Sequence, residues 1–245
     1  MKILSWNILA EEWIEKKYYP MVQEQLLESK KRFKTIMKHI NKMSPDVILL
    51  QEVMKNNYKY LKKKYRYKYF ISSLLAVPWV GYPVGESGNV TLLKLSKFQG
   101  ITSDRIDSMN FLTAYYKDER VGIVNVHLDD SSETRRKKQI KKVMKKTNKL
   151  DKVIIGGDCN EQYIKNRGIY KKLQKNNYKV AIKNTTYFIE KQMIIDNIFY
   201  KGFKIKESHV DNSCGSRSVK NINCQLKKYG SDHFPIIVKI KNKVL

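Results

Sequence analysis

Residues 152–160 have the sequence Lys152-Val153-Ile154-Ile155-Gly156-Gly157-Asp158-Cys159-Asn160. An apolar run of this length that ends in polar residues predicts a buried β-strand. Asp158 and Asn160 are two residues apart, so in an extended chain their side chains point to one face and Cys159 points to the other. The stretch therefore predicts a strand that delivers a carboxylate and an amide to the same place.

Further strand-like runs also carry isolated polar residues. A carboxylate among apolar neighbours is costly unless it is paired or metal-bound, so these positions are candidates for one shared site. The polar residues are Asn7 in 2–9, Glu52 in 46–53, His127 in 121–128, Asp196 in 193–200, and Ser231-Asp232-His233 before 234–240. Such residue types hold Mg²⁺ on a phosphodiester and direct a water at phosphorus.

The order of these elements along the chain, from Ile3 to Ile237, resembles the endonuclease/exonuclease/phosphatase superfamily of metal-dependent phosphodiesterases. The segments 4–10 and 51–53 are most similar to its deadenylase and 5′-tyrosyl-DNA phosphodiesterase branches. The resemblance implies an α/β fold, a four-layer α/β/β/α sandwich of two packed mixed sheets with outer helices. Two packed sheets would bring the polar strand ends to one rim.

The resemblance also implies a metal site. Glu52 would be the principal ligand of Mg²⁺, for which Mn²⁺ could substitute. Asn7 would lie in the first or second coordination shell of the ion, and Asp232 would be a ligand or the neighbour of one. Hard oxygen donors of this kind are the ligands that Mg²⁺ prefers.

The implied catalytic roles fall on five residues. Asp158 would orient or deprotonate the attacking water, and Asn160 would donate a hydrogen bond to a phosphate oxygen. His233 would contact the scissile phosphate, with Asp196 fixing its tautomer and raising its basicity. His127 would be a second donor to the phosphate.

Other interpretations stay open at this point. Each polar residue, taken alone, could be an ordinary strand-end residue, a surface carboxylate or part of a turn. The chain could also be a catalytically inactive, basic nucleic-acid-binding domain of the same fold, although binding alone does not require Asp158. A phosphatase that acts on a lipid or sugar phosphate is a further alternative, but no membrane-inserting apolar loop supports it.

The charge of the chain favours a nucleic acid substrate. Lysine and arginine number 49 against 23 acidic residues, a net charge of +26, which attracts polyanions through counterion release. A bias toward AT-rich codons would also enrich lysine, and the sequence does not distinguish RNA from DNA. The residues expected to contact the substrate are Arg135 and Arg136, Trp79 in an aromatic loop, and Arg217 and Lys220 in a long polar loop over 211–230.

The organisation is that of a single domain over 1–245, because the candidate site residues come from both ends and the middle of the chain. Apolar residues at helical spacing predict a long amphipathic helix from residue 22 to 43. A second helix is expected over 130–150, capped by Asp130, and a third over 164–175.

Three cysteines, Cys159, Cys214 and Cys224, form an odd set without the spacing of a zinc site. We therefore expect a reducing intracellular compartment, cytoplasmic or nuclear, although Cys214 and Cys224 could oxidise in vitro. The opening apolar residues are too few for a signal peptide or a transmembrane helix. We expect a monomer with no membrane contact and no protein partner.

Overall fold

The computed structural model describes residues 1–14, 19–20, 22–76, 87–188, 192–211, 213–214 and 220–242. Its strands are β1 (Lys2–Asn7), β2 (Val47–Met54), β3 (Tyr69–Ile71), β4 (Leu75–Ala76), β5 (Ser87–Lys94), β6 (Gln99–Ile106), β7 (Met109–Tyr116), β8 (Glu119–His127), β9 (Lys152–Asp158), β10 (Lys179–Val180), β11 (Tyr187–Phe188), β12 (Gln192–Met193), β13 (Asp196–Lys201), β14 (Phe203–Val210) and β15 (Ile236–Asn242). Its helices are α1 (Glu24–Leu27), α2 (Ser29–Met43), α3 (Lys55–Tyr65), α4 (Glu133–Thr147), α5 (Gly168–Lys175) and α6 (Lys220–Tyr229), with a 3₁₀ turn at Glu11–Trp13.

The strands form two mixed sheets and a small hairpin. The first sheet has the order β14-β15-β1-β2-β5-β3, with β4 also paired to β5, and the second has the order β10-β13-β9-β8-β7-β6. The pairs β1/β2 and β8/β9 are parallel and lie inside their sheets. Because parallel strands end at the same edge, each sheet presents two carboxyl ends together. A hydrogen bond from Asn7 to Asp158 joins these two edges into one rim.

Helices cover the outer face of each sheet and complete four layers. Side chains of α2 and α3, including Ile36 and Leu61, pack on the first sheet. Side chains of α4 and α5, including Ile140 and Leu173, pack on the second sheet. The predicted α/β/β/α sandwich is therefore confirmed. Among the described helices, none combines the length and the apolar character needed to cross a bilayer.

Between the sheets, the packing is tight just below the rim. A Cβ atom on Gly156 would lie 2.6 Å from Cδ1 of Leu49 in the opposite sheet. The buried amide of Gln51 donates to Oδ1 of Asn125 at 2.6 Å, again from one sheet to the other. These contacts fix the spacing of the sheets where the polar strand ends meet.

Three helical predictions need correction. The helix expected over 22–43 is two helices, because Glu28 has extended backbone angles and separates α1 from α2. The second helix begins at Glu133, later than predicted, because Ser132 rather than Asp130 accepts a hydrogen bond from the Arg135 N–H at its start. The third helix likewise begins later, at Gly168.

The polar stretch over 211–230 was predicted to be a loop. Its second half forms α6, whose buried Ile222 packs in a small apolar cluster with Leu9 and Tyr19. Polar and charged residues together dominate the composition of this stretch, and they hide the helical spacing of its few apolar residues.

A disulfide joins Cys214 to Cys224, whose Cα atoms are 5.8 Å apart. Cys214 and Cys224 are the two cysteines that the sequence analysis allowed to oxidise, and Cys159 alone is a free, buried thiol among the described residues. Disulfides persist in oxidising surroundings, so this pair does not support the reducing compartment that we expected.

Candidate active site

The rim of the two sheets opens into a cavity of about 620 Å³. One wall of the cavity carries polar side chains from β2, β8, the end of β9 and the turn before β15. These residues are Glu52, His127, Asp158, Asn160, Asp232 and His233. Asn7 and Asp196 lie directly behind this wall, only 1 % and 2 % exposed. The structure thus gathers all eight predicted catalytic and metal-site residues at one place.

Asn7, at the end of β1, orients the carboxylate of Glu52. Its Nδ2 donates to Oε1 of Glu52 at 2.7 Å and to Oδ2 of Asp158 at 3.1 Å, while its Oδ1 accepts from the Leu9 N–H at 3.0 Å. The other oxygen of Glu52 accepts from the Ala10 N–H at 2.8 Å. Burial raises the pKa of the Glu52 carboxyl, so its negative charge is unfavourable without a cation.

His233 lies between two buried aspartates. Its Nδ1 is 2.8 Å from Oδ2 of Asp196, and its Nε2 is 3.8 Å from Oδ2 of Asp158. Burial opposes a charged imidazolium, but the negative charges of Asp196, Asp158 and Asp232 outweigh it and hold the pKa of His233 well above its usual value. Burial, with the charge of Asp196, raises the pKa of Asp158 to about 7.

These groups also form a cluster of possible metal ligands. Candidate ligand atoms of Asp158, Asp196 and His233 all lie within 4.8 Å of one another. Within the described residues, Oδ1 of Asp196 is buried and has no hydrogen-bond partner. A buried carboxylate oxygen without a partner is costly, which marks this cluster as a functional candidate.

His127 and Asn160 complete the polar wall. Nε2 of His127 is 3.6 Å from Oδ2 of Asp158, and burial lowers the pKa of His127, which favours the neutral imidazole. Asn160 does not continue the strand as predicted, because β9 ends at Asp158 and Asn160 has a left-handed backbone, φ +46°. Its Nδ2 donates to the Leu128 carbonyl at 2.9 Å, which uses one of the two amide protons.

The Ser-Asp-His turn is tied to the first strand. Oγ of Ser231 donates to the Asn7 carbonyl at 2.7 Å and accepts from the His233 N–H at 3.1 Å. Oδ2 of Asp232 accepts from the Tyr19 hydroxyl at 3.1 Å. The two ends of the chain therefore meet at the site, which explains why the predicted residues are so widely spaced in sequence.

Unusual backbone conformations concentrate here. Leu9 and Glu52 have φ of +56° and +58°, a region that residues with side chains rarely adopt. Gly157 has φ +148°, and a Cβ at this position would lie 1.8 Å from the Val126 carbonyl oxygen. Glycine is therefore required for β9 to approach β8 and present Asp158 at the rim.

Apolar and aromatic residues also line the cavity, namely Leu9, Trp13, Tyr19, Tyr187, Met193 and Ile195. The ring of Tyr187 contacts His233, with 4.7 Å between ring centroids. These lining residues were not predicted, because they come from irregular segments and a very short hairpin rather than from a periodic element.

The predicted substrate contacts differ in their placement. Arg135 lies at the cavity, half exposed, with Nη1 3.3 Å from Oδ2 of Asp129. The guanidinium of Arg136 instead forms an ion pair with Glu161 at 3.0 Å and donates to the Asp129 carbonyl. Its charge is therefore already paired inside the protein. Trp79 and Arg217 lie outside the described residues, as does the side chain of Lys220.

Comparison with solved structures shows the same fold in several other proteins. ANGEL2, described as a 2′,3′-cyclic phosphatase, superposes with a TM-score of 0.78 at 14% identity, covering 98% of this chain and 94% of that one. The human Nocturnin catalytic domain with bound sulfate gives 0.68 at 16% identity, covering 99% and 93%. TDP2 of D. rerio, complexed with single-strand DNA product, gives 0.67 at 15% identity, covering 99% of each chain.

These identities are low, so the likeness to the solved structures concerns the fold. A search of curated protein sequences found no significant match. The model of the Endonuclease/Exonuclease/phosphatase family, in contrast, matches residues 4–233, nearly the whole chain. The protein therefore belongs to the endonuclease/exonuclease/phosphatase family, whose members hydrolyse phosphoester bonds.

Proposed function

We propose that the protein is a metal-dependent phosphodiesterase that hydrolyses phosphodiester bonds in nucleic acid, either a deadenylase-like RNA exonuclease or a DNA-end phosphodiesterase. The observation that carries the proposal is the convergence of Glu52, Asp158 and His233 on one cavity from distant parts of the chain. A network that only stabilised the fold would not need carboxyl groups whose pKa is raised by burial.

The donor set at the cavity suits Mg²⁺, or Mn²⁺ in its place. Burial raises the pKa of Glu52 and of Asp158, and a divalent cation beside them would relieve the cost of their charges. Carboxylate and amide oxygens are also the ligands that Mg²⁺ prefers. Glu52 and Asp232 would hold the ion, with Asn7 orienting Glu52, and the ion would there neutralise charge on the phosphate.

The chain's own residues can supply the remaining chemistry. Asp158 would orient the attacking water and accept its proton, and a pKa of about 7 suits that exchange near neutral pH. Because Nδ1 of His233 is occupied by Asp196, Nε2 is the nitrogen left to donate to the scissile phosphate. Neutral His127 and the second amide proton of Asn160 would add hydrogen bonds to the phosphate oxygens without adding charge.

A nucleic acid substrate fits both the charge and the shape of the site. The first turn of helix α4 lies beside the cavity and carries Arg135. The helix continues with exposed lysines, among them Lys138 and Lys141. These cations would bind the phosphate backbone independently of sequence. The aromatic rings of Trp13 and Tyr187, which also line the cavity, offer surfaces on which a base next to the scissile phosphate could stack.

The test is Mg²⁺-dependent cleavage by the purified protein on a panel of end-labelled substrates. The panel contains poly(A) RNA, single-stranded DNA, abasic duplex DNA, 5′-tyrosyl DNA and an RNA ending in a 2′,3′-cyclic phosphate, which the ANGEL2 description suggests. Cleavage of one substrate that is abolished by EDTA and by Asp158→Asn would support the proposal and identify the branch. The exposed Asp151→Asn variant is the matched control and should remain active.

Other outcomes would favour the alternatives. Salt-sensitive binding of polyanions without cleavage of any substrate would favour an inactive nucleic-acid-binding domain. Release of phosphate from an inositol lipid or a sugar phosphate, unaffected by competing polyanion, would favour a phosphatase. Either result would refute the proposed nuclease.

A further inference from the structure

Arg32, in helix α2, is a buried cation whose guanidinium faces backbone carbonyls. It is 4 % exposed. Its Nη1 donates to the carbonyls of Gly230 at 2.9 Å and Ile8 at 3.3 Å, and its Nη2 donates to that of Leu9 at 2.9 Å. Its Nε donates to the Leu27 carbonyl at 3.4 Å. Within the described residues it makes no ion pair; peptide carbonyls accept its hydrogen bonds, and the negative charges of Asp232 and Glu52 also favour its charged form.

Two of these carbonyls belong to the turn that follows β1. In this turn Leu9 has a left-handed backbone, which persists only where the surroundings hold it. The Leu9 N–H donates to Oδ1 of Asn7, and the Ala10 N–H donates to Glu52. The turn therefore sets the direction of the Asn7 amide and of the Glu52 carboxylate. Arg32 in turn fixes this turn through its hydrogen bonds to the Ile8 and Leu9 carbonyls.

The Gly230 carbonyl belongs to the turn that precedes the Ser-Asp-His motif. Gly230 has φ +79°, and a Cβ there would lie 2.6 Å from the Arg32 carbonyl oxygen, so helix α2 and this turn are in direct contact. The next residue, Ser231, bonds both the Asn7 carbonyl and the His233 N–H. One guanidinium thus connects both turns that place the polar wall of the cavity.

We propose that Arg32 is a positioning residue for catalysis: by bonding the carbonyls of Ile8, Leu9 and Gly230 it holds the Asn7–Glu52 pair and the His233 turn in one fixed arrangement. The inference rests on the proposed phosphoester hydrolysis. Arg32 does not touch the cavity, so its loss would affect the geometry of the reacting groups rather than contacts with the substrate.

The experiment compares two substitutions, Arg32→Met and Arg32→Lys. The methionine side chain is similar in length to arginine but has no hydrogen-bond donor, whereas lysine keeps the positive charge and some of the donors. Leu61→Ala is the control, because Leu61 is fully buried in α3 and does not line the cavity. Each variant is measured at a temperature where circular dichroism shows it folded. The readouts are kcat and KM on the substrate that the wild type cleaves best, and amide hydrogen exchange over the whole chain.

For Arg32→Met we expect kcat to fall by about 10- to 100-fold with KM within about twofold of wild type, as misplacement of reacting groups predicts. Arg32→Lys should recover part of kcat, and Leu61→Ala should leave kcat unchanged. Exchange should accelerate selectively at the amides of Leu9, Ala10 and His233. If Arg32→Met does not fold, Arg32→Lys must show the same pattern to a smaller degree.

The proposal is overturned if Arg32→Met and Leu61→Ala lose kcat equally, or if exchange accelerates uniformly across both sheets, because Arg32 would then contribute only to stability. Should the wild type hydrolyse no substrate, the proposed function fails, and the exchange comparison alone decides whether Arg32 fixes the two turns. Selective acceleration at the two turns would support the positioning role, and unchanged exchange there would refute it.

Discussion

The Asp158→Asn substitution should stabilise the protein while abolishing hydrolysis. Asp158 is 2 % exposed, and burial with the charge of Asp196 raises its pKa from 3.8 to about 7. At about 1.36 kcal/mol per unit, the buried charge destabilises the fold by about 4 kcal/mol above pH 7. Asparagine removes the charge and one acceptor, and a lost acceptor costs about 1–2 kcal/mol. The expected net gain in unfolding free energy is about 2–3 kcal/mol.

The pH dependence has a defined sign. Because the pKa of Asp158 is raised in the folded state, its protonated form contributes stability that is full below the unfolded value of 3.8 and is lost as the pH rises through about 7. The stability difference between Asp158→Asn and wild type should therefore grow between these values and stay constant above them. EDTA must be present, because a cation bound at Glu52 would stabilise the same charge.

Calorimetric melting of both proteins between about pH 5 and 8 measures this difference. For a domain of this size, each kcal/mol shifts Tm by about 2–4 °C, so the variant should melt about 4–12 °C higher at pH 8. Asp151→Asn removes an exposed carboxylate and should leave Tm unchanged. A difference independent of pH, or a less stable variant at pH 8, would refute the reasoning that burial shifts the titration of Asp158.

Three further predictions concern the metal, the imidazole and the backbone. Glu52→Gln should weaken Mg²⁺ binding by at least about tenfold in titration calorimetry, since a charged ligand is lost; unchanged affinity would place the ion elsewhere. Asp196→Asn should lower the pKa of His233, because its hydrogen-bonded negative charge is removed; an NMR titration of the ring protons measures this, and an unchanged pKa contradicts it. Gly157→Ala should destabilise the fold by more than about 3 kcal/mol in urea unfolding, because its Cβ would overlap the Val126 carbonyl; a cost below about 1 kcal/mol would show that β9 can shift.

The strands and the polar wall of the site were predictable for one physical reason. Burying a polar residue inside an apolar strand costs free energy, so such a residue indicates a site that requires it. The pattern can be recognised from a few neighbouring residues of the sequence. Asn7, His127 and Asp158 end their strands, and Glu52 lies within two residues of the end of β2. Their order along the chain then identified the family and, through it, the four-layer fold.

Contacts between residues that are distant along the chain produced no comparable pattern in the sequence. Arg32 lies among lysines on a helix and resembles a solvent-exposed residue, yet it is buried, because three distant carbonyls converge on it. Trp13 and Tyr187 come from segments too short for any periodicity. For the disulfide, the sequence indicated only that Cys214 and Cys224 could oxidise, because their pairing depends on how α6 packs.

The conformation of this site lowers the stability of the fold, and this loss bears on function. The left-handed backbones of Leu9, Glu52 and Asn160 each cost about 1–3 kcal/mol, and the buried charge of Asp158 adds a similar amount or more. Domains have only about 5–15 kcal/mol of net stability, so the rest of the fold must offset a substantial fraction of that. A domain that merely bound polyanions would gain nothing from this arrangement, because carboxylates at the base of the cavity repel phosphate. In a site that binds a cation and hydrolyses a phosphoester, the same carboxylates would bind the cation and activate water. The arrangement therefore favours the proposed active phosphodiesterase over an inactive binding domain.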